Sequence, residues 1–427
     1  MNPAWTGRWT DGLRYGGLGL PLAFAALPLY VVVPNHYAGR FGVPLAVLGA
    51  VLLGVRLLDA LVDPWIGRWA DRVFARPPAT AWTTAAIAAL LLALAFHGLM
   101  VPPAAVQGTG VLVWFGVLLA ATTLGYSVLS ILHQAWGARL GGGEAQRARV
   151  VAWREGLALA GVLLASVLPT AAGLPVTTAV FALALAAAVV LLRRAPRADG
   201  APSRLHAARS PLHTPAFRRL LAIYLVNGIA SAIPATLVLF FIRDRLQAPG
   251  LEPLFLLCYF GAGALSIPVW VRVVRRVGLA RGWWIAMVLA TAVFAWATRL
   301  GPGDVAAFAA VCVLSGLALG ADLTLPGAMV AGVIQGAGHG GAAEGAYFGW
   351  WNFATKLNLA LAAGLALPVL QWAGYAPGAS TPEALDALTL AYCLIPCALK
   401  LLAATLLAVL WIRHHPRTQH GGPAPCH

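Results

Sequence analysis

The stretch GVRLLDALVDPWIGRWADR, residues 54–72, places Arg56, Asp59 and Asp63 inside a run that is otherwise apolar at its start. Aspartates four positions apart on a helix share a face, about 6 Å apart along the axis, and Arg56 stands one turn before Asp59 on that face. At an effective dielectric of about 20, two carboxylates at this spacing repel by about 3 kcal/mol. Something cationic has to sit there. Arg56 cancels one charge and leaves a single net negative charge, which one proton or one Na⁺ would neutralise. Such a locus binds one monovalent cation and changes charge when the cation leaves, which is the requirement for ion coupling. The same residues would also serve as a permanent ion-pair network between helices.

The elements that position this triad follow from composition. Sixty per cent of the 427 residues are hydrophobic, 10% are charged and the mean hydropathy is +0.80, against about 25% charged residues in a soluble domain. This is the composition of a polytopic membrane protein. Each ionised side chain at the centre of a lipid-facing helix costs about 2.5 to 3.5 kcal/mol, so the triad must face inward. The formal charge of +15 comes from short arginine clusters at the ends of apolar runs, and no patch interleaved with aromatics suggests nucleic acid. Cys258, Cys312, Cys393, Cys397 and Cys426 have no metal-ligand spacing, and no disulfide framework is expected. The first apolar run is long for a signal sequence and lacks a convincing small-residue cleavage site.

A span of about 20 apolar residues crosses a bilayer, and that ruler predicts an all-α membrane protein with twelve transmembrane helices. They run over 14–36, 44–70, 79–101, 108–137, 147–172, 174–193, 217–243, 252–275, 281–300, 304–334, 343–372 and 385–412. The Pro-, Ala- and Arg-rich stretch RRAPRADGAPSRLHAARSPLHTPAFRR reads as a linker. The expected organisation is a six-helix bundle over 1–193, a linker over 194–216, a second six-helix bundle over 217–413 and a tail over 414–427. Of 27 arginines, 22 fall on the face that holds both termini and the linker, Arg40, Arg243, Arg245 and Arg299 fall on the other, and Arg56 lies within. The positive-inside rule then makes the termini and linker cytoplasmic. A shift of 204 positions lays DPWIGRWADRV over IPVWVRVVRRV and matches Pro64, Arg68 and Arg72 with Pro268, Arg272 and Arg276. It matches the charged triad with Phe260, Gly263 and Ile267, so the charges serve a task of the first half alone.

RLLDALVDPWIGRWADR resembles the signature of the glycoside-pentoside-hexuronide:cation symporters, the melibiose permease-like branch of the major facilitator superfamily. The stretches YGGLGLPLAFAALPLY, YSVLSILHQAWGARLGGGEAQRARVVAWREG and YFGWWNFATKLNLALAAG extend the likeness in the family's order. The resemblance implies the major facilitator fold, two pseudo-symmetric bundles around a central cavity, and cation-coupled alternating access. It carries the cation-binding role onto Asp59 and Asp63 and the role of the family's eleventh-helix lysine onto Lys356. Where melibiose-type members have a sugar-gripping acid and a further cation-site acid, this chain has Ala23 and Ser130. The first departure removes the usual sugar anchor. The second leaves the hydroxyls of Ser127 and Ser130 to complete the cation shell, and places H⁺ level with Na⁺ as coupling ion.

Lys356 is one of only two lysines and lies half-way along its span, too deep for easy snorkelling. An amine that can release its proton suits a switch, as counter-charge to Asp59 or Asp63 beside Arg56, or as a solute contact. Lys400 has no such context and reads as structural or snorkelling. His133, Gln134 and Trp136 in the fourth span, with Trp351 and Asn352 in the eleventh, are candidate substrate contacts, although a lone histidine is more often packing. GRWADR resembles the superfamily's loop motif, in which Asp71 and Arg72 would latch the cytoplasmic side; Arg147, Arg149, Arg154 and Glu155 form a parallel candidate latch. Asp322 reads as an intramembrane acid near a Gly-Pro break.

An aspartyl protease needs carboxylates about 3 Å apart, and one helical turn is too far; no enzyme is expected. The predicted function is cation-coupled symport of a sugar-like or other small organic solute, with no cofactor beyond H⁺ or Na⁺. A proton-driven exporter or a carrier of an amphipathic, lipid-like solute is the alternative within this fold, and a transport-inactive sensor or scaffold a more distant one. The expected setting is a bacterial inner membrane, and the expected state a monomer.

Overall fold

The computed structural model describes residues 5–108, 110–197, 210–376 and 378–413. Residues 198–209 of the expected linker, the tail and Cys426 lie outside them. Among the described residues there is helix and no strand. The first span is assembled from α1 (Trp9–Gly16), α2 (Gly19–Leu27), a π-helical turn (Pro28–Val32) and α3 (Val33–Phe41). Then follow α4 (Leu45–Phe74), α5 (Pro78–Met100), α6 (Gly110–Arg139) and α7 (Glu144–Arg193). The second half holds α8 (Pro215–Phe240), α9 (Glu252–Val277), α10 (Leu279–Ala297), α11 (Val305–Gly336) and α12 (Glu344–Trp372). It ends with α13 (Pro382–Thr389) and α14 (Ile395–Leu407), joined by a π-helical turn over Leu390–Leu394.

Helix therefore covers every apolar stretch read from the sequence. Among the described residues, eight runs are long and apolar enough to cross a membrane, and the longest, Glu144–Arg193, contains two of those stretches. It is divided at Gly173, whose φ of 81° is a left-handed conformation that glycine adopts freely, with Pro175 following. The chain is a multi-pass membrane protein. Several helices begin with a proline in the first turn, Pro78, Pro215 and Pro382 among them, where the missing N–H has no partner to lose.

The first half packs α2 against α7 and α5 against α6, with Phe181 in contact with both Phe24 and Phe96 in its core. In the second, α9 and α10 pack on α11, and α8 on α12 and α14. The halves meet where α4 runs against α12, α7 against α9 and α11, and α6 against α12.

Candidate cation and solute site

Asp59, Asp63, Gly67 and Asp71 follow one another at intervals of four along α4, and so form one stripe down that helix. The facing stripe on α12 contains Gly345, Gly349, Asn352 and Lys356. These helices touch backbone to backbone. A Cβ on Gly67 would collide with the Gly345 carbonyl, and one on Gly349 with the Asp63 carbonyl. Lys356, seven residues beyond Gly349, is thereby delivered to both carboxylates.

Its Nζ lies 2.7 Å from Asp59 Oδ2 and 2.7 Å from Asp63 Oδ2, and donates to Ser127 Oγ at 2.7 Å. Ser127 in turn donates to Asp59 Oδ1 at 2.8 Å. The Asp63 side chain is 0% exposed and that of Lys356 22%, so part of the lysine side chain meets solvent while the deeper carboxylate is sealed. Arg56 is half-buried one turn earlier. Counting Arg56 and Lys356 against the two aspartates makes the locus neutral, with the ammonium lodged between the two carboxylates. Pro64, inside α4, has no N–H to donate to the Ala60 carbonyl.

The site borders a central cavity of about 340 Å³. The first half contributes Ala23, Asp59, Ser130, Gln134, Arg154 and Glu155 to its wall; the second contributes Tyr224, Asp322, Trp351, Asn352 and Lys356. Gln134 Nε2 donates to Ser130 Oγ at 2.8 Å and across the halves to Asn352 Oδ1 at 3.0 Å. Trp351 stacks on Tyr224 with ring centroids 3.8 Å apart. Arg154 holds Glu155 Oε1 through Nε at 2.8 Å and Nη2 at 2.6 Å. The cavity thus offers a guanidinium, a carboxylate, two amides and an aromatic platform, groups suited to a polar organic solute.

Several expected placements differ. Ser130 bonds to Gln134 and Asn352 and belongs to the amide network, leaving Ser127 as the hydroxyl at the carboxylates. Trp136 does not line the central cavity: it is two residues, about 200° of helical turn, from Gln134, and its Nε1 donates to the Pro196 carbonyl at 2.8 Å. His133 reaches the cavity wall but is 1% exposed, with Nε2 2.8 Å from the Tyr15 carbonyl while the Tyr15 hydroxyl donates to the His133 carbonyl. That reciprocal pair ties α6 to α1. Arg154 and Glu155 line the central cavity and are not at a cytoplasmic latch. Lys400 does not snorkel; it is 8% exposed and 2.7 Å from Asp322.

At the arginine-rich end, Asp71 accepts from the N–H groups of Gly345 and Ala346 at 2.7 and 2.8 Å, capping the first turn of α12. Arg139, read from the sequence only as a topology anchor, lies 3.5 Å from Asp71 and 3.0 Å from Glu344, and donates to the Gly341 carbonyl at 3.1 Å. Glu144 accepts from the Leu279 N–H at 2.8 Å, a second cap on a helix of the opposite half. Arg72 is exposed. Arg147 donates to the Gly142 carbonyl within its own half and rests against Gly332 of α11, where a Cβ would press on its guanidinium.

The MFS/sugar transport protein family matches residues 13–413. The chain belongs to that family. It is the family that contains the melibiose-type symporters. Among curated relatives, the inner membrane symporter YicJ of Escherichia coli is 30% identical over 162 residues, 37% of this chain and 33% of that protein. The match thus spans about a third of the relative. Among solved structures, a bacterial homologue of the iron transporter ferroportin in its outward-facing state superposes with a TM-score of 0.69 at 18% identity, covering 94% of this chain and 98% of that one. The Escherichia coli fucose:proton symporter FucP gives a TM-score of 0.66 at 12% identity, covering 92% and 98%. The human organic anion transporter MFSD10 gives 0.66 at 17%, covering 93% and 99%. At these identities the structures speak for the shared fold alone: this MFS/sugar transport family member has the major facilitator fold.

Proposed function

We propose that this protein is a cation-coupled symporter of a small, polar organic solute, built as two six-helix bundles with cytoplasmic termini in a bacterial inner membrane. Asp59 and Asp63 hold one monovalent cation, H⁺ or Na⁺, and Lys356 takes the cation's place when it leaves. The single observation that carries the reading is the Lys356 ammonium bonded at once to Asp59, Asp63 and Ser127. Two unit charges about 4 Å apart at an effective dielectric of about 20 repel by about 4 kcal/mol, so a second cation and the ammonium exclude each other between these carboxylates. Cation entry therefore releases an α12 side chain from α4. It couples site occupancy to the contact between the bundles.

Asp71, Arg139, Glu344 and Glu144 form the cytoplasmic gate in this reading, fastening the bundles at one end while the solute cavity lies beyond them. The solute sits among Gln134, Arg154, Trp351 and Asn352. That YicJ is a symporter and FucP a fucose:proton symporter is consistent with this assignment.

Ligands that bind only the native state raise its melting temperature, so purified protein should melt higher as Na⁺ or Li⁺ replaces choline, or respond to pH alone if the ion is a proton. Asp59→Asn and Asp63→Asn should each abolish that response while expression and insertion persist. A full response in both variants would remove the cation from this pair.

A further inference from the structure

A second cavity, of about 160 Å³, lies wholly within the second half. Phe255, Phe260, Phe294 and Val311 make its wall apolar, whereas the core of the first half contains the packed Phe24, Phe96 and Phe181. Tyr259 and Tyr392 both line the cavity, and neither hydroxyl has a hydrogen-bond partner among the described residues, although Tyr392 is only 4% exposed. The Tyr392 ring is fixed by Phe241 and Phe294, at centroid distances of 4.3 and 5.7 Å. Both hydroxyls therefore open onto the cavity, where each can donate and accept a hydrogen bond with a molecule inside it.

The polar end of the cavity is built from four helices. Asp322 accepts from Trp283 Nε1 at 2.7 Å, Asn227 Nδ2 at 3.3 Å and Lys400 Nζ at 2.7 Å, and Lys400 also donates to Ser231 Oγ at 2.8 Å. Asp322 lines the central cavity too, so the two spaces share one wall. An apolar cavity of about 150 Å³ accepts a benzene-sized guest.

We propose that this cavity is a binding site for a phenol-sized aromatic group bearing a hydroxyl. The ring packs against Phe255, Phe260 and Phe294, and its oxygen exchanges hydrogen bonds with Tyr259 and Tyr392. The site is distinct from the cation pair and does not depend on the coupling account.

The test is ¹⁹F NMR of the full chain in lipid nanodiscs with 4-fluorophenol and fluorobenzene as probes. The wild type should show a saturable bound resonance for 4-fluorophenol, and Cys312→Phe, which fills the cavity, should lose it; that variant also corrects for partition into lipid. Tyr259→Phe combined with Tyr392→Phe should weaken 4-fluorophenol about tenfold, as expected for two lost hydrogen bonds, and leave fluorobenzene unchanged. Asp59→Asn should retain 4-fluorophenol binding even where it abolishes the cation response, which separates the two proposals. A bound signal that survives Cys312→Phe, or that ignores the loss of both hydroxyls, overturns the assignment. So does the absence of any saturable signal.

Discussion

Lys356 and Asp63 are joined at 2.7 Å across the interface between the two halves of the chain, at a depth where the carboxylate has no exposure. The contact exists because Gly67, Gly345 and Gly349 let α4 and α12 meet without side chains between them. Ion pair and close backbone packing therefore depend on each other.

Gly67→Ala should force those helices apart, since the new methyl meets a backbone carbonyl that has no rotamer to yield. Overpacking of this kind costs about 1 to 3 kcal/mol. The check is thermal unfolding without added cation, where the variant should melt several degrees lower. An unchanged melting temperature would mean the helices are not this close.

Asp71→Ala removes the acceptor of two α12 N–H groups and the partner of Arg139. Hydrogen bonds to a charged group contribute about 1.5 to 3 kcal/mol each, so the gate equilibrium should shift at least tenfold toward opening. Spin labels at positions 72 and 335 should report a longer distance distribution in the variant. A distribution identical to that of the unmutated gate would show that Asp71 is not what holds it.

Trp136→Phe should leave the cavity untouched, because its indole is committed to the Pro196 carbonyl. Trp351→Ala should remove the aromatic platform that stacks on Tyr224. For any solute found by thermal-shift screening, the first change should leave the shift intact and the second should reduce it at least tenfold in affinity. The reverse order would place the solute on the opposite face of α6.

Asp59 and Asp63 were legible because charge in an apolar run is expensive enough to need a reason, and Lys356 because a mid-span amine is rare in this chain. The helical spans were legible because their length is set by the bilayer, and the major facilitator fold through the resemblance of RLLDALVDPWIGRWADR and its companion stretches to a known family. The gate was not. Arg139 at the end of a span satisfies the topology rule whether or not it also bridges Asp71 and Glu344, so its residue type carries no distinguishing signal. Helical spacing does separate Gln134 from Trp136, and taking the two as one cluster overlooked it. The Asp322 network draws its donors from α8, α10 and α14, and no local pattern announces a meeting of residues so far apart in the chain.

The most direct test of the alternation between ammonium and cation is a cation titration of wild type and Lys356→Ala, read as melting temperature against Na⁺, Li⁺ and pH. Without cation the variant leaves the locus with one uncompensated negative charge and should be destabilised, by about 3 to 5 kcal/mol for a broken buried pair. Cation should restore it, with affinity raised at least tenfold over wild type, because the competing charge is gone. Unchanged or weaker cation affinity, accompanied by loss of solute binding, would make Lys356 a solute ligand and contradict the account.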